Sequence, residues 1–254
     1  MPDGAAPVVV VGGVGELYQG DLDLGRVAVE RLATEDLGPR VAVEDLHYGA
    51  VAVAQRLEEL RPPHLVLVGA VARGRPPGSV RRRLVRPPEL TTSELQASVG
   101  DAVTGYVSID LVVEVATALG VLPLRTVAVE VEPATTQPGD RLSPEARAAL
   151  ERALEVVRDE VRRAPVLELA ARLEAGQREE ADGTEGPAGH RTRLGLLRAV
   201  RVMGDEGRWR GVHALRQRLR TEVGAAHSGD PGEQALWRAL LDELDRLVGE
   251  GPSR

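Results

Sequence analysis

Residues 8–25 read VVVVGGVGELYQGDLDLG. Four valines in a row mark a short strand buried on both faces, and a glycine-rich turn and two aspartates follow. A turn of this kind after a buried strand is where α/β proteins hold phosphates and metals. Whether it cradles a phosphate, holds a metal or is the remnant of such a site decides what the chain does.

Strand and helix signals alternate outward from this turn. Helical spacing runs through Leu24, Val27, Val29 and Leu32 and stops near Gly38-Pro39. Residues 40–44 (RVAVE) read as a second strand and 50–60 as a helix stopped by Pro62-Pro63. Residues 64–71 (HLVLVGAV) form a third strand and 79–85 an edge strand; 86–104 read as loop. A helix over 107–119, a strand over 125–131 and a polar loop over 133–141 follow. Ser143-Pro144-Glu145 opens a long helix, with serine as N-cap and proline in the first helical position. Strands separated by helices predict a three-layer α/β/α fold around a mainly parallel five-stranded sheet.

Beyond residue 165 the composition changes. The stretch 177–190 (QREEADGTEGPAGH) is charged, glycine-rich and without apolar periodicity, which predicts a flexible linker. Three amphipathic helices follow, marked by Leu194, Leu197 and Val200, by Trp209, Val212, Leu215 and Leu219, and by Leu236, Leu240, Leu244 and Leu247. The expected organisation is an α/β domain over 1–164, a helix end and linker over 165–190, and a small α-helical region over 191–254. That last region either packs on itself or on the first domain, or serves as a docking surface.

Composition narrows the function. All 32 basic residues are arginine, and lysine, asparagine, phenylalanine and cysteine are absent. This pattern fits GC-rich coding. Without cysteine there are no disulfides, thiolate metal sites or cysteine nucleophiles. A net charge of −7 offers no general attraction to nucleic acid. No apolar run approaches the ~20 residues that span a bilayer, and the N-terminus lacks the pattern of a signal peptide. The expectation is a cytoplasmic protein with no nucleic-acid and no membrane partner.

Phosphate chemistry fails at the turn. A Walker loop needs Lys and Ser/Thr after its second glycine, whereas Asp21-Leu22 follow Gly20 here. The dinucleotide fingerprint places its third glycine at Tyr18. The turn instead resembles the opening motif of the [NiFe]-hydrogenase maturation endopeptidases, strand–GxGN-x₄-D-[DE]-x-x-G–helix. These enzymes clip the C-terminal tail of the hydrogenase large subunit after nickel insertion. The resemblance extends through HLVLVGAVARGRPPGSV (64–80), LVVEVATALGVLPLRTVAVEVEP (111–133) and RLSP (141–144), in the family's order over roughly residues 7–163. It implies the family's sheet sandwiched between helices.

The resemblance also implies where nickel-sensing ligands should stand: the second acid of the opening motif, the aspartate of V-D-A-V, and a histidine before the next helix. In this chain those positions are Leu22, Gly69 and Gly105, with the first acid at Asp21 and Glu16 in place of asparagine. Leucine and glycine side chains carry no lone pair to ligate a metal. Asp21, Asp23 or Asp110 could rebuild a site. His47, at the second strand end, is either a cleft residue or a plain loop residue. The basic run Arg73, Arg75, Arg81, Arg82, Arg83 and Arg86 either protects an exposed edge or meets an acidic partner. Ser79 and Ser143 have no histidine and aspartate at triad spacing.

The expectation is therefore a degenerate relative with no catalytic residue, metal or cofactor. Its cleft candidates are Asp21, Asp23 and His47, and it acts as an accessory, chaperone-like factor or scaffold. Its partner would be a [NiFe]-hydrogenase large subunit or another maturation factor. The alternative is an active endopeptidase with a relocated metal site; a small-molecule binder using the vacated cleft is a third possibility.

Overall fold

The computed structural model describes residues 6–89, 91, 93, 94, 96, 97, 100, 107–181, 188–225 and 231–249. The chain divides into two compact units, Met1–Val161 and Arg162–Arg254.

In the first unit the strands are β1 (Val9–Gly13), β2 (Val41–Asp45), β3 (His64–Ala70), β4 (Val80–Val85) and β5 (Arg125–Val131). The helices are α1 (Leu24–Leu32), α2 (Ala50–Leu60), α3 (Ile109–Ala118) and the start of α4 (Pro144–Ala181). The sheet order is β2-β1-β3-β5-β4, parallel except for β4, which pairs antiparallel with β5 at the edge. The expected three-layer α/β/α fold is present. α2 and α3 pack on one face through Val53, Leu57, Val112 and Val115, against Val10, Leu65, Leu67 and Ala128 of the sheet. α1 and α4 are joined by the Arg158–Glu35 pair at 2.7 Å and by Arg31–Glu151.

Handedness accounts for this division. The chain steps from β1 to β2 in one direction and from β2 to β3 in the other, so right-handed crossovers put α1 and α2 on opposite faces. The reversal leaves a crevice at the carboxyl ends of β1 and β3, and register keeps those ends level, with Gly13 beside both Asp45 and Val68.

Two sequence expectations change. Within 86–104, read as loop, residues 93, 94, 96, 97 and 100 are helical. Thr91 and Glu94 form a capping box there: Thr91 Oγ1 accepts from the Glu94 N–H at 3.3 Å, and Glu94 accepts from the Thr91 N–H at 2.8 Å. The second change is at 177–190. α4 runs on to Ala181, and the next helix begins at Ala188, so both ends of the expected linker are helical. The Glu, Ala, Arg and Gln of the former linker are strong helix formers, and they extend α4 where the polar composition had predicted coil. Residues 182–187 lie outside the described residues.

The second unit holds the end of α4 with α5 (Ala188–Glu206), α6 (Val212–Ala225) and α7 (Pro231–Gly249). Its own core contains Val166, Leu173, Leu197, Val200, Leu219, Leu240 and Leu244. Gln177, assigned by sequence to the linker, is buried, and its Nε2 donates to Glu233 at 2.7 Å. The same carboxylate accepts from Trp237 Nε1 at 2.9 Å. Trp209, expected on a helix, lies in the α5–α6 connection.

His64 opens β3 and is only 5% exposed, yet neither ring nitrogen has a hydrogen-bond partner among the described residues. Burial, reinforced by the Arg125 charge and opposed by Glu160, lowers its pKa to about 4. The folded ring is thus neutral where an unfolded one would already bind a proton. Its contribution is complete above the unfolded value near 6.5 and is lost as pH falls toward 4. Unfolding free energy should drop by up to ~3 kcal/mol across that window, and His64→Leu should flatten this limb of the stability–pH curve measured by urea titration.

Close packing at the turn makes a second expectation. A Cβ on Gly25 would overlap the Val14 carbonyl, and one on Gly13 would overlap the Gly25 carbonyl. Gly25→Ala should lower the unfolding free energy by roughly 1–3 kcal/mol, seen as a lower urea midpoint.

Candidate functional site

The glycines of the opening stretch serve packing. α1 crosses so close to the end of β1 that backbone meets backbone at Gly13, Val14 and Gly25. Val14 is pinned from the other side, where its N–H donates to the Val68 carbonyl at 2.9 Å. Gly69 lies against the Val14 carbonyl as well, with no space for a Cβ. The turn after Val14 closes through the Glu16 N–H on the Leu22 carbonyl at 3.1 Å. It projects Leu17 and Tyr18, 42% and 72% exposed, on the rim of the crevice. Tyr18 holds a left-handed φ of 60°, which costs a non-glycine residue about 1 kcal/mol.

Asp21 is fully buried and holds the site together. Its Oδ2 accepts from the N–H groups of Ala134 and Thr135 at 2.8 and 3.1 Å and from Ser143 Oγ at 2.8 Å. Its Oδ1 accepts from the Ser143 N–H at 2.7 Å. Ser143 Oγ accepts in turn from the Ala146 N–H at 3.0 Å, so the predicted N-cap is present. Around this clasp the Gly20 N–H bonds the Gly139 carbonyl, and the Gly139 N–H bonds the Tyr18 carbonyl at 2.8 Å. The turn after β1 and the loop after β5 become one rim.

The other sequence-selected residues have neighbours of their own. Asp23 is buried and faces Arg26, whose Nε donates to Oδ1 at 2.8 Å. His47 is part-exposed, with Nδ1 2.8 Å from Asp45 Oδ1 but without hydrogen-bond geometry, and its ring stands edge-on to Tyr48. Leu22 is half-buried in the short turn before α1, Gly69 lies in β3, and Gly105 is outside the described residues. Burial raises the Glu16 carboxyl above its ordinary pKa. Among the described residues, no three His, Cys, Asp or Glu side chains are grouped to hold a metal ion.

The basic run pairs inside the protein. Buried Glu130 of β5 receives Arg73 at 3.0 Å, Arg75 at 3.2 Å and Arg83 at 2.8 Å. Arg73 also reaches Asp110 at 2.8 Å. Glu132 accepts from Arg75 Nε and from the N–H groups of Arg73 and Gly74, all at 3.0 Å. Burial alone would raise both glutamates, but these donors outweigh it and hold them below the usual carboxylate pKa. On the opposite face Arg82 and Arg125 hold buried Glu160 at 2.8 and 3.1 Å. Arg81 and Arg86 remain exposed. Sequence reasoning missed this network. The available signal was Glu130 and Glu132 two apart, at and just past the end of a strand whose centre is apolar.

No protein-family model matches the chain, and no curated protein matches it. Among solved structures, the chain is similar to the hydrogenase 2 maturation peptidase of Thaumarchaeota archaeon SCGC_AB-539-E09. The identity is 22%, over 59% of this chain and 94% of that one, with a TM-score of 0.43. It is similar to the hydrogenase maturating endopeptidase HybD of E. coli at 24% identity, over 59% and 88%, with a TM-score of 0.41. The [NiFe] hydrogenase maturation protease HycI of Thermococcus kodakarensis follows at 16%, over 61% and 92%, with a TM-score of 0.40. All three carry hydrogenase maturation in their names.

The clasp separates the two aspartates by experiment. Asp21→Ala strands four donors in a buried setting and should cost roughly 2–5 kcal/mol in urea unfolding. Asp23→Ala removes one neighbouring ion pair and should cost about 1 kcal/mol or less.

Proposed function

We propose that this chain is a non-cleaving accessory or scaffold protein of [NiFe]-hydrogenase maturation, built on the frame of the maturation endopeptidases. Its client would be a hydrogenase large subunit or another maturation factor. The observation that carries this reading is the chemistry at the motif positions. Leu22 offers only hydrocarbon, and Gly69 lies against the Val14 carbonyl, where even a Cβ does not fit. The two nearest aspartates are engaged, Asp21 by backbone and Ser143 donors and Asp23 by Arg26. The nickel ion that the resemblance implies does not fit these residues, and no chemical step is assigned to it.

What the crevice retains is a surface. Leu17, Tyr18 and Tyr48 stand exposed on the loops that follow two adjacent strands, β1 and β2. An apolar rim of this kind suits holding a protein segment without cutting it.

The test mixes the purified chain with a precursor large subunit that keeps its C-terminal tail, after dialysis of the chain against Ni²⁺. Size-exclusion chromatography with light scattering should show a complex. Intact mass should show the tail retained, and elemental analysis should show no stoichiometric nickel on this chain. Removal of the tail, with one nickel per chain lost on Asp23→Ala, would establish the endopeptidase instead. A folded chain that forms no complex would remove the large subunit as client.

A further inference from the structure

The α5–α6 hairpin gathers the positive charge of a unit that is nearly neutral as a whole, with 16 arginines and 15 acids over residues 162–254. Residues 188–225 contain nine arginines and three carboxylates. Buried Glu174 is shared by Arg198 at 3.6 Å and Arg201 at 3.8 Å, and Asp245 is shared by Arg216 at 3.2 Å and Arg220. Arg191, Arg208, Arg210 and Arg218 are exposed and have no ion pair among the described residues.

Isolated surface arginines need no explanation, but these are arranged. Arg191, Arg198 and Arg201 follow i, i+7 and i+10 spacing, which places them on one side of α5 over about 15 Å. Leu196, Leu197 and Val200 face the core from the other side. Val202, 49% exposed, and Gly195, beside which a Cβ would meet open space, lie next to the arginines. In sequence the row is followed by the turn Gly207-Arg208-Trp209-Arg210-Gly211. Both of its glycines hold positive φ, and the Gly207 and Arg208 N–H groups bond back to α5 carbonyls at 3.1 Å. Arg208 and Arg210 are therefore presented from a fixed turn. They precede α6 in sequence, and its first turn has no acidic residue to offset the positive end of its dipole.

We propose that this strip is a docking surface for an acidic amphipathic helix of a protein partner. Carboxylates of that helix meet Arg191, Arg198, Arg201, Arg208 and Arg210, and its apolar side lies along Val202 and the open space at Gly195. Arginine is favoured at protein interfaces because its fork binds carboxylates with fixed geometry. A long polyanion such as nucleic acid fits less well, because residues 162–254 lack the strong basic excess of a nucleic-acid-binding domain and the strip includes exposed Val202. The proposal is independent of what the crevice does.

The probe is a fluorescent synthetic Glu/Ala/Leu amphipathic peptide, read by anisotropy on the full chain, with an oligo-dT of equal charge as comparison. Saturable peptide binding is expected, weakening as salt rises. The triple reversal R191E/R198E/R201E should weaken it at least roughly tenfold. R40E/R86E, at exposed arginines of the first unit, should leave it unchanged. Circular dichroism checks that the reversal folds, and the milder R191Q/R198Q/R201Q should give an intermediate loss. Absence of saturable binding, indifference to both triple variants, or oligo-dT binding as tightly as the peptide would overturn the proposal.

Discussion

The carboxyl edge of the first unit depends on how closely three stretches of backbone meet around Val14. Gly13 and Gly25 let α1 cross directly over the end of β1, and Gly69 lets β3 press on the same carbonyl from the other side. Any side chain at these positions forces the elements apart, so the glycines set the depth and direction of the turn. That direction delivers Asp21 into the protein, where it meets the loop after β5 and the start of α4. The rim is rigid because a buried carboxylate with four donors is costly to disturb.

The same constraint bears on function. Beside a helix start, a glycine-rich turn is free to bind an anion or metal only if space remains in front of it. Here the Val14 carbonyl stands where a Cβ on Gly69 or Gly25 would lie. Charged groups nearby are paired in place, Asp23 with Arg26, and Glu130 and Glu132 with Arg73, Arg75 and Arg83. An ionic network of this density at a sheet edge fixes a loop, in this case the connection from β3 to β4 that Glu132 holds through backbone N–H groups.

The helical unit follows a different logic. Its core is leucine-rich, and Glu233 takes both Gln177 and Trp237 beside it. Its arginines lie outside that core, most densely along α5 and the turn that follows it. Leucine burial forms its core, and the clustering of arginine along α5 gives one face a sign.

The sequence by itself determined the elements whose cause is local. The valine run of β1, the Pro-terminated α2, the strand over 125–131 and the Ser143-Pro144 helix start all rest on periodicity or on residues a few positions apart. It determined equally that Leu22 and Gly69 carry no donor atoms. Even locally it left a signal unused, the Thr91–Glu94 capping box. Tertiary structure alone decided what Asp21 is for, because its partners stand 113 to 122 residues away. It also decided that the arginine run turns inward to Glu130 and Glu132, and that Gln177 ends in a core. A carboxylate reads the same in sequence whether it will face water, a metal or a ring of backbone N–H groups. Only the fold, by choosing its neighbours and removing its water, settles which of these it becomes.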